Sequence, residues 1–109
     1  METEPLRYVV LRHEGVPQPH FDVMWESRLG SALMTIRCDE WPKRDTTRLQ
    51  RLADHRREYL DYEGPVSGGR GHVCRVASGF CTFEVDREGS SIVRLDTGLT
   101  LRIPRAEWD

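Results

Sequence analysis

An imidazole and a carboxylate stand two residues apart in His20-Phe21-Asp22-Val23-Met24-Trp25-Glu26. In an extended chain that spacing puts His20, Asp22, Met24 and Glu26 on one face and Phe21, Val23 and Trp25 on the other. If the polar face points inward, its ionisable groups need a metal, a proton or a hydrogen-bond partner to offset their burial. A divalent cation meets that need, because imidazole nitrogen and carboxylate oxygen both bind such an ion at roughly 2.0 to 2.2 Å. His13, at the end of the preceding apolar run, is placed to supply a third ligand. A His-x-Asp pair alone is common, and a polar outer face accounts for it equally well.

Two histidines and one carboxylate also match the facial triad of non-haem iron oxygenases. A chain of 109 residues leaves little room for their usual double-stranded helix and cosubstrate pocket. Further along, His55 and Tyr59 are four apart and share a face if that piece is helical, a pair suited to holding a phosphate or positioning a water; a solvated basic segment is the alternative. Lys43, Arg44, Arg48, Arg51, Arg56 and Arg57 crowd into the same region, either as a track for a nucleic-acid backbone or as a solvated face. His72 reads as a structural or surface histidine. Trp25, Trp41, Phe80 and Phe83 are expected in the core, and Cys38, Cys74 and Cys81 as small buried hydrophobes. The sequence contains no phosphate-cradling glycine loop, nucleophile elbow or Ser/His/Asp set.

Short runs rich in Val, Ile, Leu, Phe and Thr, separated by Gly, Pro, Asp and Ser clusters, must position these groups, and they predict an all-β domain. Strands are expected at Leu6–His13, His20–Glu26, Ala32–Cys38, His72–Ala77, Phe80–Val85, Ser91–Asp96 and Leu99–Ile103. Asp86–Ser90 and Asp96–Gly98 carry glycines suited to hairpin turns. Asp45–Tyr62 is ambiguous: Leu49, Leu52, Tyr59 and Leu60 can lie on one helical face, yet the alternation through Arg48–His55 equally suits a strand followed by one short helical turn. Glu63–Gly71, with four glycines and a proline, is a loop on either reading.

The length suits one domain over residues 1–109, with flexible ends at 1–5 and 105–109. A net charge of −2 argues against nucleic-acid binding through bulk positive charge, so any such contact must be local. Fifteen of the sixteen basic residues are arginine, which reflects either forked phosphate contacts or base composition. Three cysteines without a C-x-x-C pair suggest neither a disulfide framework nor a zinc finger, and a reducing cytoplasm is expected. No run approaches the roughly 20 apolar residues of a membrane span, and Met1–Pro5 lacks the apolar stretch of a secretion signal.

Three stretches together resemble the 3′-phosphoesterase module of bacterial DNA ligase D and the small stand-alone proteins related to it. They are Tyr8-Val9-Val10-Leu11-Arg12-His13, then His20-Phe21-Asp22-Val23-Met24-Trp25-Glu26, and Asp54-His55-Arg56-Arg57-Glu58-Tyr59-Leu60-Asp61-Tyr62-Glu63-Gly64-Pro65-Val66. The resemblance spans Leu6 to Phe83. It implies a small closed β-barrel of six to eight strands with one short helix, holding Mn²⁺ (Zn²⁺ or another transition metal being the alternative), and favours a strand over Arg48–Asp54. It also implies a hydrolase of DNA repair that removes 3′-phosphates or 3′-ribonucleotides from DNA or RNA/DNA ends, acting as a monomer alongside other repair proteins.

By position, the resemblance makes His13, His20 and Asp22 the metal ligands and puts His55 and Tyr59 at the scissile phosphate, with Arg48 loosely matching an upstream arginine. The His13–His20 interval, which contains Pro17 and Pro19, is slightly longer than the module's. Where the module carries a phosphate-clamping arginine this chain has Met24, whose thioether donates no hydrogen bond. That loss is worth roughly 1.5 to 3 kcal/mol of phosphate binding. The alternative is therefore a catalytically degenerate barrel that binds nucleic-acid ends or proteins.

Overall fold

A computed structural model describes residues 5–41 and 49–105. The expected flexible ends lie outside these residues except for Pro5 and Arg105, as do Lys43, Arg44 and Arg48. Among the described residues eight strands form one antiparallel sheet: β1 (Leu6–Glu14), β2 (His20–Glu26), β3 (Leu33–Cys38), β4 (Leu49–His55), β5 (Gly64–Pro65), β6 (His72–Val85), β7 (Ser91–Leu95) and β8 (Thr100–Ile103). Their order is β4-β3-β2-β1-β6-β7-β8, with the short β5 also pairing on β6. A 3-10 turn, Arg57–Leu60, stands where a short helix was expected. No helix among the described residues is long and apolar enough to cross a membrane.

The expectation of a closed barrel is corrected to an open, curled sheet. Closure requires a ladder between the end strands, and β4 and β8 do not pair among the described residues. Side chains bridge the curl instead: Val93, Leu95, Leu101 and Ile103 of β7 and β8 pack with Tyr8, Val10, Val23, Trp25 and Ile36 in the larger core. A smaller core lies on the opposite face of β1 and β2, where Val9, Leu11, Met24, Leu33 and Val73 are covered by Leu60, Tyr59, Tyr62 and Val66. Both faces of β1 are thus buried, which suits the unbroken apolar run Tyr8-Val9-Val10-Leu11.

Asp45–Tyr62 resolves, within its described part, as β4 followed by the 3-10 turn. Arg57 pins that turn to the sheet by donating to Ser31 O (2.9 Å) and to the buried carboxylate of Glu26. Glu26 also accepts from the backbone N–H groups of Arg7 (2.7 Å) and Gly30 (3.0 Å). Burial pushes the Glu26 carboxyl upward, but Arg57 and the two N–H donors outweigh it and hold the carboxyl below its ordinary range.

The two strands expected at His72–Ala77 and Phe80–Val85 are one, because Ser78-Gly79 continues the ladder to Tyr8 and Val9 rather than turning. Gly79 is required there by proximity: a Cβ on it would lie 2.2 Å from Asp96 Oδ2. Asp96 accepts from Phe80 N (3.0 Å) and from the Tyr8 hydroxyl (2.9 Å), fastening β1, β6 and the β7–β8 turn together. Burial, with the Asp96 carboxylate beside it, pushes the Tyr8 hydroxyl up to about 12. The β6–β7 turn follows its sequence, since Asp86 Oδ1 accepts from Glu88 N and Ser90 N, each at 2.9 Å, and Gly89 takes a φ of 86°.

Four core expectations divide. Trp25 is fully buried and Phe83 packs on the larger core, but Phe80 is 52% and Trp41 43% exposed. Phe80 alternates outward from the buried Cys81, and Trp41 lies beyond the end of β3, edge-on to Phe21. Cys38 and Cys81 are buried, and burial pushes each thiol up to about 12. Cys74 is exposed, because it pairs with Arg12 on the face opposite the buried Val73.

Candidate metal centre

The β1–β2 hairpin sets His13 directly opposite His20 and Leu11 opposite Asp22. Facing residues of an antiparallel pair share a side, so His13, His20 and Asp22 converge on one face. That face is the one covered by the smaller core, so the trio lies outside the larger core, where Phe21, Val23 and Trp25 point. His20 and Asp22 are buried at 5% and 4% exposure. One ligand atom from each of the three residues lies within 4.8 Å of the others. Asp22 Oδ2 is 3.4 Å from His20 Nε2 and 3.7 Å from His13 Nδ1.

The outer nitrogens fix how the two rings are turned. His20 Nδ1 meets the Gln18 carbonyl at 2.9 Å, and His13 Nε2 meets the Arg70 carbonyl at 2.7 Å. A carbonyl oxygen only accepts, so both outer nitrogens carry hydrogen, and the inner nitrogens, His20 Nε2 and His13 Nδ1, face Asp22. His20 Nε2 and Asp22 Oδ1 are buried without a hydrogen-bond partner. Polar atoms left unpartnered at this depth cost stability unless a cation or a proton joins them. Outer N–H groups anchored on carbonyls are the usual support of metal-bound histidines. Three protein ligands leave coordination positions open, which suits catalytic rather than structural metal.

The anchor on His13 depends on the glycine-rich loop. Gly71 adopts φ 73°, and a Cβ there would lie 2.1 Å from Glu14 O, so only glycine lets the loop pass close enough to present the Arg70 carbonyl. Val66 N to Gly71 O (2.8 Å) and Arg70 Nε to Ser67 O (2.7 Å) hold the loop closed.

No protein-family model matches the chain, and no curated protein matches it significantly. The likeness to the ligase module therefore rests on the three sequence stretches.

The other expected site residues are placed differently. His55 and Tyr59 stand together, their rings 5.7 Å apart at 73°, and Tyr59 packs on the smaller core that contains Met24. His55 pairs with Leu33, itself opposite Glu26, so it lies toward the far end of β2 from His20. No hydrogen bond or ion pair joins either residue to the trio among the described residues. Of the basic run, Arg51 pairs with Asp54 (3.1 Å), Arg56 with Glu58 (3.2 Å) and Arg57 with Glu26; Arg48 lies outside the described residues. The described part is thus neutralised by acids rather than left as a bare track. His72 is a surface histidine, with Nε2 3.7 Å from Glu14 Oε2.

Sequence reasoning missed the carbonyls of Gln18 and Arg70, because backbone acceptors carry no residue-type signal. It also passed over Arg37, which alternation with Leu33 and Thr35 places on the same side of β3.

Proposed function

We propose that this chain is a metal-dependent phosphoesterase of nucleic-acid 3′ ends, removing 3′-phosphates or 3′-ribonucleotides from DNA, with His13, His20 and Asp22 holding Mn²⁺ or a similar divalent cation. The observation that carries the reading is the convergence of one buried and one half-buried imidazole on a buried carboxylate, with the outer nitrogen of each ring fixed on a carbonyl. A cation held there polarises a phosphoryl oxygen and lowers the pKa of water.

The chain's own residues do the positioning. Gln18 and Arg70 carbonyls set the ring orientations. His55, with Nδ1 donating to Ala53 O (2.9 Å), keeps Nε2 available, and with Tyr59 it would meet the substrate away from the cation, toward the far end of β2 from His20. The resemblance of the Asp54–Val66 stretch to the ligase module supplies the substrate class.

A second reading is favoured by Met24, which is 2% exposed and packed in the smaller core where the ligase module has an arginine. On that reading the domain binds nucleic-acid ends or proteins without turnover. Purified protein incubated with Mn²⁺ and DNA primers ending in a 3′-phosphate or a 3′-ribonucleotide separates the two. Metal-dependent trimming, lost in His20→Ala, supports the enzyme. Binding without trimming across several divalent metals rejects it in favour of the binding module.

A further inference from the structure

Arg37 stands directly across the β2–β3 ladder from Asp22, and Gln50 stands across the next ladder from Arg37. Facing residues share a side, with Cβ atoms about 5 Å apart. An arginine beside a buried carboxylate ordinarily pairs with it. Here Arg37 makes no ion pair with Asp22, or with any other carboxylate, among the described residues. Its Nε is buried without a hydrogen-bond partner. Arg37 lines a cleft of about 220 Å³ together with Asp39, Leu49 and Gln50. The terminal nitrogens of the guanidinium are not among the buried unpartnered atoms and make no hydrogen bond or ion pair among the described residues, so they are the donors an acceptor entering the cleft from solvent would meet.

We propose that this cleft is a phosphate subsite in which the Arg37 fork binds the terminal phosphate of the nucleic-acid end, supplying from across the strands the contact that Met24 cannot make along β2. The proposal rests on the reading of His13, His20 and Asp22 as the cation site. The charges are divided accordingly, since Asp22 remains for the cation and the guanidinium remains for the anion. Arginine is suited to this because its planar fork matches two phosphate oxygens at once. Gln50 lines the same cleft with an amide donor, and these donors act against the exposed Asp39 carboxylate, which also lines the cleft and opposes an anion there.

The test compares fluorescently labelled DNA oligonucleotides ending in 3′-phosphate or 3′-hydroxyl, with binding read by anisotropy with and without Mn²⁺. Wild-type protein is expected to prefer the 3′-phosphate. Arg37→Gln should remove that preference, weakening binding of the phosphorylated end at least about tenfold while leaving Mn²⁺ affinity, read by electron paramagnetic resonance, within about threefold. Arg28→Gln, the same charge change at an exposed site, should keep the preference. Arg37→Lys, which keeps the charge and loses the fork, should fall between the two and provides the readout should Arg37→Gln not fold. No 3′-phosphate preference in wild type, or a preference that survives Arg37→Gln, overturns the subsite. If wild type binds no Mn²⁺ yet shows an Arg37-dependent preference, the cation reading fails and the anion subsite stands.

Discussion

Asp22 Oδ2 lies 3.4 Å from His20 Nε2, and neither His20 Nε2 nor the other carboxylate oxygen, Oδ1, has a hydrogen-bond partner at that buried position. Two unpartnered polar atoms at that depth are a cost to the fold until a cation or a proton joins them. Asp22→Asn should abolish stabilisation by Mn²⁺ or Zn²⁺ while leaving the metal-free protein as stable as wild type, or more stable by up to about 1 kcal/mol, because an amide, which both donates and accepts and carries no charge, can partner the unpaired His20 Nε2. Thermal melts with chelator and with saturating metal check both halves. Wild type should rise by about 2.7 kcal/mol at a hundredfold excess of metal over its dissociation constant. A metal response retained by Asp22→Asn would remove the carboxylate from the site.

Gly71→Ala should loosen the same site from a distance. The substitution places a Cβ against Glu14 O in a left-handed backbone region, so the loop must retreat and take the Arg70 carbonyl away from His13. A destabilisation of about 1 to 3 kcal/mol is expected. Metal affinity should fall roughly tenfold or more as the His13 ring loses its anchor. Urea titration and metal titration report the two effects separately, and an unchanged metal affinity would show that the anchor is dispensable.

Removing Arg57 leaves the Glu26 carboxylate buried with two backbone donors and no countercharge. Arg57→Met should cost about 2 to 3 kcal/mol, less than for a fully enclosed pair because the Arg57 side chain is 40% exposed. The acid limb should move too. In wild type the Glu26 carboxyl titrates below its ordinary 4.5, so its contribution is complete above that pH and fades as pH falls through the lower, folded-state value. Without Arg57, burial regains the upper hand, and the stability carried by ionised Glu26 is lost at higher pH. Urea midpoints measured from pH 3 to pH 7 test this; identical acid limbs would refute it.

Met24→Arg tests whether the family-like arginine can simply be restored. Met24 is packed among Val9, Leu11, Leu33 and Leu60, so a guanidinium there enters an apolar cluster. A loss of about 3 kcal/mol or more is expected in chemical denaturation. An arginine accommodated at no cost would mean that the smaller core is open to solvent on that side.

How much of this was legible in the sequence depends on whether local order was enough. The period of two along His20–Glu26 placed His20, Asp22, Met24 and Glu26 on one face, and the turn chemistry of Asp86–Ser90 located a hairpin, because both follow from residues close in sequence. Alternation defines two faces but not what covers each. Only the folded sheet put Val93, Leu95, Leu101 and Ile103 over one face of β1 and β2, and Leu60 with Tyr62 over the other.

Register between strands was likewise decided by the tertiary structure. His13 meets His20 through a hairpin whose two prolines gave no fixed alignment, Gly79 extends a strand because Asp96 approaches it, and Arg37 faces Asp22 because β3 pairs with β2 at that offset. The same long-range pairing left β4 and β8 as separate edges rather than a closed ring. Side-chain type and spacing thus determined which groups are available for chemistry. Hydrogen-bonded pairing between distant segments, which optimises burial and backbone satisfaction over the whole sheet, determined which of them meet.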